Sequence, residues 1–116
     1  MMPQADSSPG LFVYGSLLWP DRRIEVIGHE VRTSPARLTG WRVRSQRYLY
    51  IVEEAGAVTM GLILHDLNAA DWSALDSYEE IPRLYTREPI EVTGEDGGLV
   101  RAWVYLPTEL VKNGGG

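Results

Sequence analysis

A chain of 116 residues, 44% of them hydrophobic, is long enough for one folded domain with one core and too short for a second functional module. Eleven basic side chains stand against 16 acidic ones, a net charge of −5, and there is no cysteine. That balance argues against a nucleic-acid partner, and the missing thiols exclude disulfides, cysteine nucleophiles and thiolate metal sites.

In chain order, residues 1–10 read as a flexible arm, since Pro3, Asp6, Ser7, Ser8, Pro9 and Gly10 offer little to bury. No basic region followed by an apolar stretch opens the chain, and no apolar run has the length of a membrane span. The expected location is the cytoplasm, with no membrane partner. Leu11-Phe12-Val13-Tyr14 is a short apolar run halted by Gly15-Ser16, the pattern of a buried strand opening into a tight loop. Pro20 to Ile27 reads as a short helix stopped by Gly28. Ala36 and Leu38 share one strand face, and beyond Gly40 the apolar phase moves to Trp41 and Val43, which predicts a bulge or bend at the glycine. Arg37, Arg42, Arg44 and Arg47 fall here as the solvated face of a strand rather than as a binding stripe. Tyr48 to Val52 is predicted as a strand apolar on both faces. Val58, Met60, Leu62 and Leu64 alternate as a further one.

The clearest helix follows. Asn68 is a good N-cap, Asp71 is an acid at the third helical position, and Leu67 precedes the cap where it can staple onto Trp72. Trp72, Leu75 and Glu79 then fall on one face, and Pro82 ends the segment. Arg87 to Val92 and Leu99 to Leu106 flank Glu95-Asp96-Gly97-Gly98, a hairpin with a glycine-rich turn. Residues 107–116 are expected as a flexible tail. The reading is an α+β domain over residues 11–106: about six strands in a small, mixed, mostly antiparallel barrel or curled sheet, with helical cover.

Two features carry chemistry. Glu79 sits on the helical stripe that faces the core, where a carboxylate is costly unless paired, protonated or used. Burial and the negative end of the helix both raise its pKa, which suits a group that takes and returns a proton near neutrality. The competing reading has Glu79 fray outward and pair with Arg83 or Arg87. The Tyr14-Gly15-Ser16-Leu17 turn is the second feature, because glycine lets main-chain N–H groups approach a carboxylate or an oxyanion. It lacks the Gly-Lys-Ser/Thr of a phosphate loop. His29 and His65 are isolated, so no metal site is expected. Ser16 has no evident His and Asp partners for a nucleophile's role. Trp41, Trp72 and Trp103 read as core aromatics, and Trp19 as a pocket wall or an exposed lid. Tyr48 and Tyr50 read as core and barrel lining.

Leu11-Phe12-Val13-Tyr14-Gly15-Ser16-Leu17, then Leu75-Asp76-Ser77-Tyr78-Glu79, then Leu84-Tyr85-Thr86-Arg87 resemble, in order and spacing, the γ-glutamyl cyclotransferase-like superfamily. Ser34 to Trp41 and the strand Ala102-Trp103-Val104-Tyr105-Leu106 fit the same pattern, and the γ-glutamylamine cyclotransferase-like group looks most similar. The resemblance implies a small mixed β-barrel with flanking helices. It implies an acyltransferase-type enzyme without cofactor or metal, releasing 5-oxoproline from a small γ-glutamyl substrate. It further implies that Glu79 is the catalytic residue, that Tyr14, Gly15, Ser16 and Leu17 cradle the glutamyl group, and that Tyr85 and, less directly, Tyr105 line the pocket. A monomer or weak homodimer is expected. Many relatives carry glycine after the catalytic glutamate, where this chain has Glu80. A ligand-binding or interaction domain that keeps the fold and pocket without turnover is the alternative reading.

Overall fold

The structure is a computed structural model that describes residues 9–114. Five strands form a closed barrel: β1 (Gly10–Val13), β2 (Thr33–Ser45), β3 (Leu49–Leu64), β4 (Tyr85–Gly94) and β5 (Leu99–Pro107). A single 3-10 turn, Ser16–Leu18, leads into α1 (Pro20–Ile27); α2 (Ala69–Tyr78) joins β3 to β4, and α3 (Glu109–Lys112) follows β5. Around the barrel the order is β1-β3-β2-β4-β5. Closure comes from the one parallel pairing, in which Gly10 and Leu11 lie beside Ala102 and Trp103. The other pairings are antiparallel. The fold is therefore the small mixed α+β barrel expected, with five strands rather than about six.

The missing strand is a fusion. Of the two predicted strands, Leu49 to Val52 and Val58 to Leu64 belong to one long strand, β3, paired with β2 on both sides of an irregularity, while Tyr48 lies in the connection before it. Thr39 faces Val58 and Trp41 faces Glu53, so Gly40 alone stands opposite four residues of β3. Gly40 and Gly56 adopt positive φ (89° and 85°), which permits the bend. The phase slip predicted at Gly40 is this bulge. Glu53 to Gly56 break the apolar pattern without breaking the strand.

Alternation along the strands sorts the core into two layers. Phe12, Ala36, Leu38, Ile51, Ile63, Val92, Ala102 and Val104 cluster together with no helical residue among them, and fill the barrel. Their strand neighbours Leu11, Val13, Leu64 and Tyr105 point outward and meet Leu75 of α2 and Val111 of α3. The helices thus cover one outer face of the barrel. Val58 and Met60 lie beyond that cover and are exposed, although Leu64 on the same strand is fully buried. Their apolar alternation therefore does not mark a continuous core face.

Both longer helices carry the expected stops. Pro20 opens α1, and Gly28 caps it in the left-handed conformation. The N-terminus of α2 is a complete capping box: Asn68 accepts from the Asp71 N–H at 2.8 Å, and Asp71 accepts from the Asn68 N–H at 3.0 Å. Buried Asp71 also meets His29 Nε2 at 2.7 Å, which ties α2 to the loop after α1. The chain beyond Leu106 departs from the expected tail. Thr108 donates from its N–H and its hydroxyl to Leu84 O, at 2.9 and 3.0 Å, and Val111 is fully buried. Of the expected arm, only Pro9 and Gly10 lie within the described residues, and Gly10 already belongs to β1.

Candidate active site

A cavity of about 390 Å³ opens beside the helix-covered face of the barrel, lined by the end of β1, the 3-10 turn, the β2–β3 connection and the end of α2. All seven residues singled out in the sequence line it: Tyr14, Gly15, Ser16, Leu17, Glu79, Tyr85 and Tyr105. Sequence reasoning did not assign Tyr78, Glu80, Leu49 and Leu84 to this wall, and left Tyr48 among general core residues. Only Tyr78 and Glu80 carried a signal, as the immediate neighbours of Glu79.

Glu79 is the C-cap of α2, and its N–H bonds Leu75 O at 2.9 Å. Leu75, one turn back, is fully buried, and that packing fixes where the carboxyl emerges. Burial raises the Glu79 pKa from 4.5 to about 7. Neither arginine proposed as a partner reaches it. Arg83 pairs with Glu80 at 3.2 Å, and Arg87 pairs with Asp76 at 3.3 Å. Among the described residues no ion pair or side-chain hydrogen bond involves Glu79. Glu80 sits next to it with positive φ (55°) and turns its exposed side chain to Arg83.

The turn opposite is braced from behind. Arg23 of α1 donates to Leu17 O at 3.0 Å and to Leu18 O at 2.8 Å, and the Leu17 side chain is buried in the core. The first N–H groups of a helical turn have no partner within it. A Cβ at Gly15 would lie 2.8 Å from Leu49 Cδ2, so a side chain there would push on the flexible end of that leucine. Ser16 Oγ lies 2.7 Å from the Tyr78 hydroxyl, which also accepts from Arg22 at 2.9 Å.

Three phenols complete the wall. Tyr14 donates to Tyr105 O at 3.0 Å, Tyr85 donates to Leu49 O at 2.6 Å, and the Tyr105 hydroxyl donates to Asp76 Oδ1 at 2.7 Å. Burial pushes all three pKa values well above the ordinary tyrosine range, and the Glu79 charge adds to each shift. They stay protonated at any physiological pH.

Other candidates fall outside the cavity. Trp72 and Trp103 are not fully buried core residues; their rings flank the Arg87 guanidinium, with centroids 4.4 and 5.6 Å away. Trp41 is likewise only partly buried. Trp19 is 68% exposed and is not part of this cavity wall. His65 lies 2.7 Å from Ser34 Oγ. Among the described residues no group of three or more His, Cys, Asp or Glu is placed to hold a metal ion, and no helix is long and apolar enough to cross a membrane. Arg37, Arg42, Arg44 and Arg47 are exposed, and Arg42 pairs with Glu54.

Comparison with known proteins bears on the fold and the family. A Methanocaldococcus jannaschii protein named gamma-glutamylcyclotransferase and putative RNase is 26% identical over 99 residues, covering 83% of this chain and 45% of that protein. The chain thus spans less than half the length of that relative. An Arabidopsis thaliana solution structure superposes with a TM-score of 0.75 at 24% identity, over 91% of this chain and 67% of the other. A structure named gamma-glutamyl cyclotransferase gives 0.74 at 21% identity, over 84% and 65%. An AIG2-like protein of Mus musculus gives 0.61 at 19% identity, over 86% and 77%. At such identities these likenesses establish the fold. The family model for gamma-glutamyl cyclotransferase, AIG2-like, matches residues 11–115, and the chain belongs to that family.

Proposed function

We propose that the protein is a cyclotransferase that releases 5-oxoproline from a γ-glutamyl amine or amide, with Glu79 as the general acid and base. One observation carries the reading: an unpaired carboxyl, raised by burial to about 7, shares a cavity with the Gly15–Leu17 main chain. A γ-glutamyl amide contains its own nucleophile. With the glutamyl chain folded back, the α-nitrogen reaches the γ-carbonyl, and holding that shape makes the attack intramolecular. Well-oriented cases gain roughly 7–11 kcal/mol from this effect.

In this scheme ionised Glu79 takes a proton from the α-ammonium, and the freed amine attacks the γ-carbonyl carbon. Negative charge on the carbonyl oxygen is met by main-chain N–H groups of the turn, which also suit the α-carboxylate. As the carbon–nitrogen bond breaks, Glu79 returns its proton to the departing nitrogen. The lactam nitrogen's surplus proton passes to solvent, leaving 5-oxoproline and a free amine. The small cavity fits a small-molecule substrate, and the mechanism needs no cofactor.

The test is incubation with a panel of γ-glutamyl amines and dipeptides while 5-oxoproline is measured. The expected result is turnover with at least one substrate, abolished in Glu79→Gln with binding retained, and a kcat/KM that falls as pH drops below about 7. Binding without turnover across the panel would favour a ligand-binding module instead.

A further inference from the structure

Of the five tyrosines that line the cavity, three have a proton that is already committed. Tyr14 and Tyr85 give theirs to main-chain carbonyls, and Tyr105 gives its to the Asp76 carboxylate at 2.7 Å. A phenol has one hydrogen to donate. What these oxygens still offer a ligand is their lone pairs. The surroundings of Asp76 keep the arrangement in place. Its carboxylate is held by Arg87, with Nη1 3.3 Å from both oxygens, and the guanidinium is wedged between Trp72 and Trp103. With Arg87 and Tyr105 both donating to this carboxylate, the Tyr105 hydroxyl has one orientation. Asp76 and Arg87 themselves lie outside the cavity, in a neighbouring open groove.

We propose that Asp76 is a positioning residue, which acts through Tyr105 to make the cavity an acceptor site for the substrate's ammonium group. Tyr105, together with Tyr14 and Tyr85, would then hold the α-nitrogen beside Glu79, while the α-carboxylate goes to the turn. This rests on the γ-glutamyl reading above and extends it to how the nucleophile is placed. It also gives the cavity a preference: ligands bearing a cation on the α-carbon over the same ligands without one.

The experiment compares binding, by calorimetry, of a γ-glutamyl amine and its deamino analogue, an N-alkyl glutaramic acid that keeps the carboxylate and lacks the α-amino group. The proteins are wild type, Asp76→Asn, Tyr105→Phe and the double variant. Tyr105→Phe leaves the Asp76–Arg87 pair in place and serves if Asp76→Asn does not fold. The expected result is roughly a tenfold loss for the γ-glutamyl amine in each single variant, no further loss in the double variant, and an unchanged affinity for the deamino analogue. Equal losses for both ligands, or no loss for either, would overturn the proposal. So would additive losses in the double variant. Binding without turnover by wild type would overturn the catalytic reading and leave this comparison intact. Absence of binding would overturn both.

Discussion

Glu79 is the residue on which the proposed chemistry depends, and its cost to the fold is measurable. Its folded pKa of about 7 lies above the ordinary 4.5. Between those values the folded carboxyl keeps a proton that the unfolded chain has released. Stability from this group is therefore full below about 4.5, is lost as pH rises toward 7, and is constant above. The loss is at most roughly 3 kcal/mol. Glu79→Gln should fold normally, and should gain stability relative to wild type when urea unfolding is moved from pH 5 to pH 8. A gap that does not change with pH would show that the carboxyl is not desolvated. Much of this residue was legible in the sequence, because a carboxylate on the Leu75 stripe is unusual. Its freedom from Arg83 and Arg87 was not, since spacing cannot tell whether an arginine chooses Glu79, Glu80 or Asp76. The same limit hid Asp76: its value depends on the Tyr105 hydroxyl, 29 residues away.

At the scale of the element, α2 sets the geometry. Its start is locked by the Asn68–Asp71 capping box and its body by Leu75, and the carboxyl of Glu79 hangs from its end. Asn68→Ala should cost about 1 kcal/mol by loss of one cap bond. Leu75→Ala should cost 2–5 kcal/mol. Thermal unfolding checks both, and on the proposed mechanism Leu75→Ala should also lower kcat/KM because the end of the helix that carries Glu79 loses its anchor. The helix was readable because capping and periodicity are local signals. The two segments of β3 were read as separate strands for the opposite reason. Glu53, Glu54 and Gly56 look like a turn, but cross-strand pairing with β2 resumes at Glu53 opposite Trp41. Pairing partners so far apart in the chain leave no local mark. The tail was misjudged likewise: Val111 has a place in the core that only the folded barrel provides.

For the molecule as a whole, closure of the barrel rests on close approach of β1 to its neighbours. Gly10 of β1 and Gly61 of β3 are equally tight points: at Gly61 a Cβ would lie 2.2 Å from Val13 O and 2.8 Å from the Phe12 ring. A main-chain oxygen cannot yield as a side-chain tip can. Gly61→Ala should therefore destabilise by at least about 2 kcal/mol, seen as a lowered urea midpoint. Gly15→Ala should be milder for stability, because it meets only the flexible end of Leu49, but that leucine lines the cavity. The barrel class was legible from strand count, bulge and turn signals. The neighbour relations that build the cavity were not, because they join β1 to β3 and β5 rather than to the next strand along the chain.

That arrangement has a consequence for how the protein comes into being. The first strand waits for the last: Gly10 and Leu11 lie between Leu64 on one side and Ala102 and Trp103 on the other. A nascent chain still holding β5 inside the ribosome has Glu79 but neither Tyr105 nor a closed wall. On the proposed mechanism, competence therefore waits for the final strand to pair with the first and bring Tyr105 into the wall.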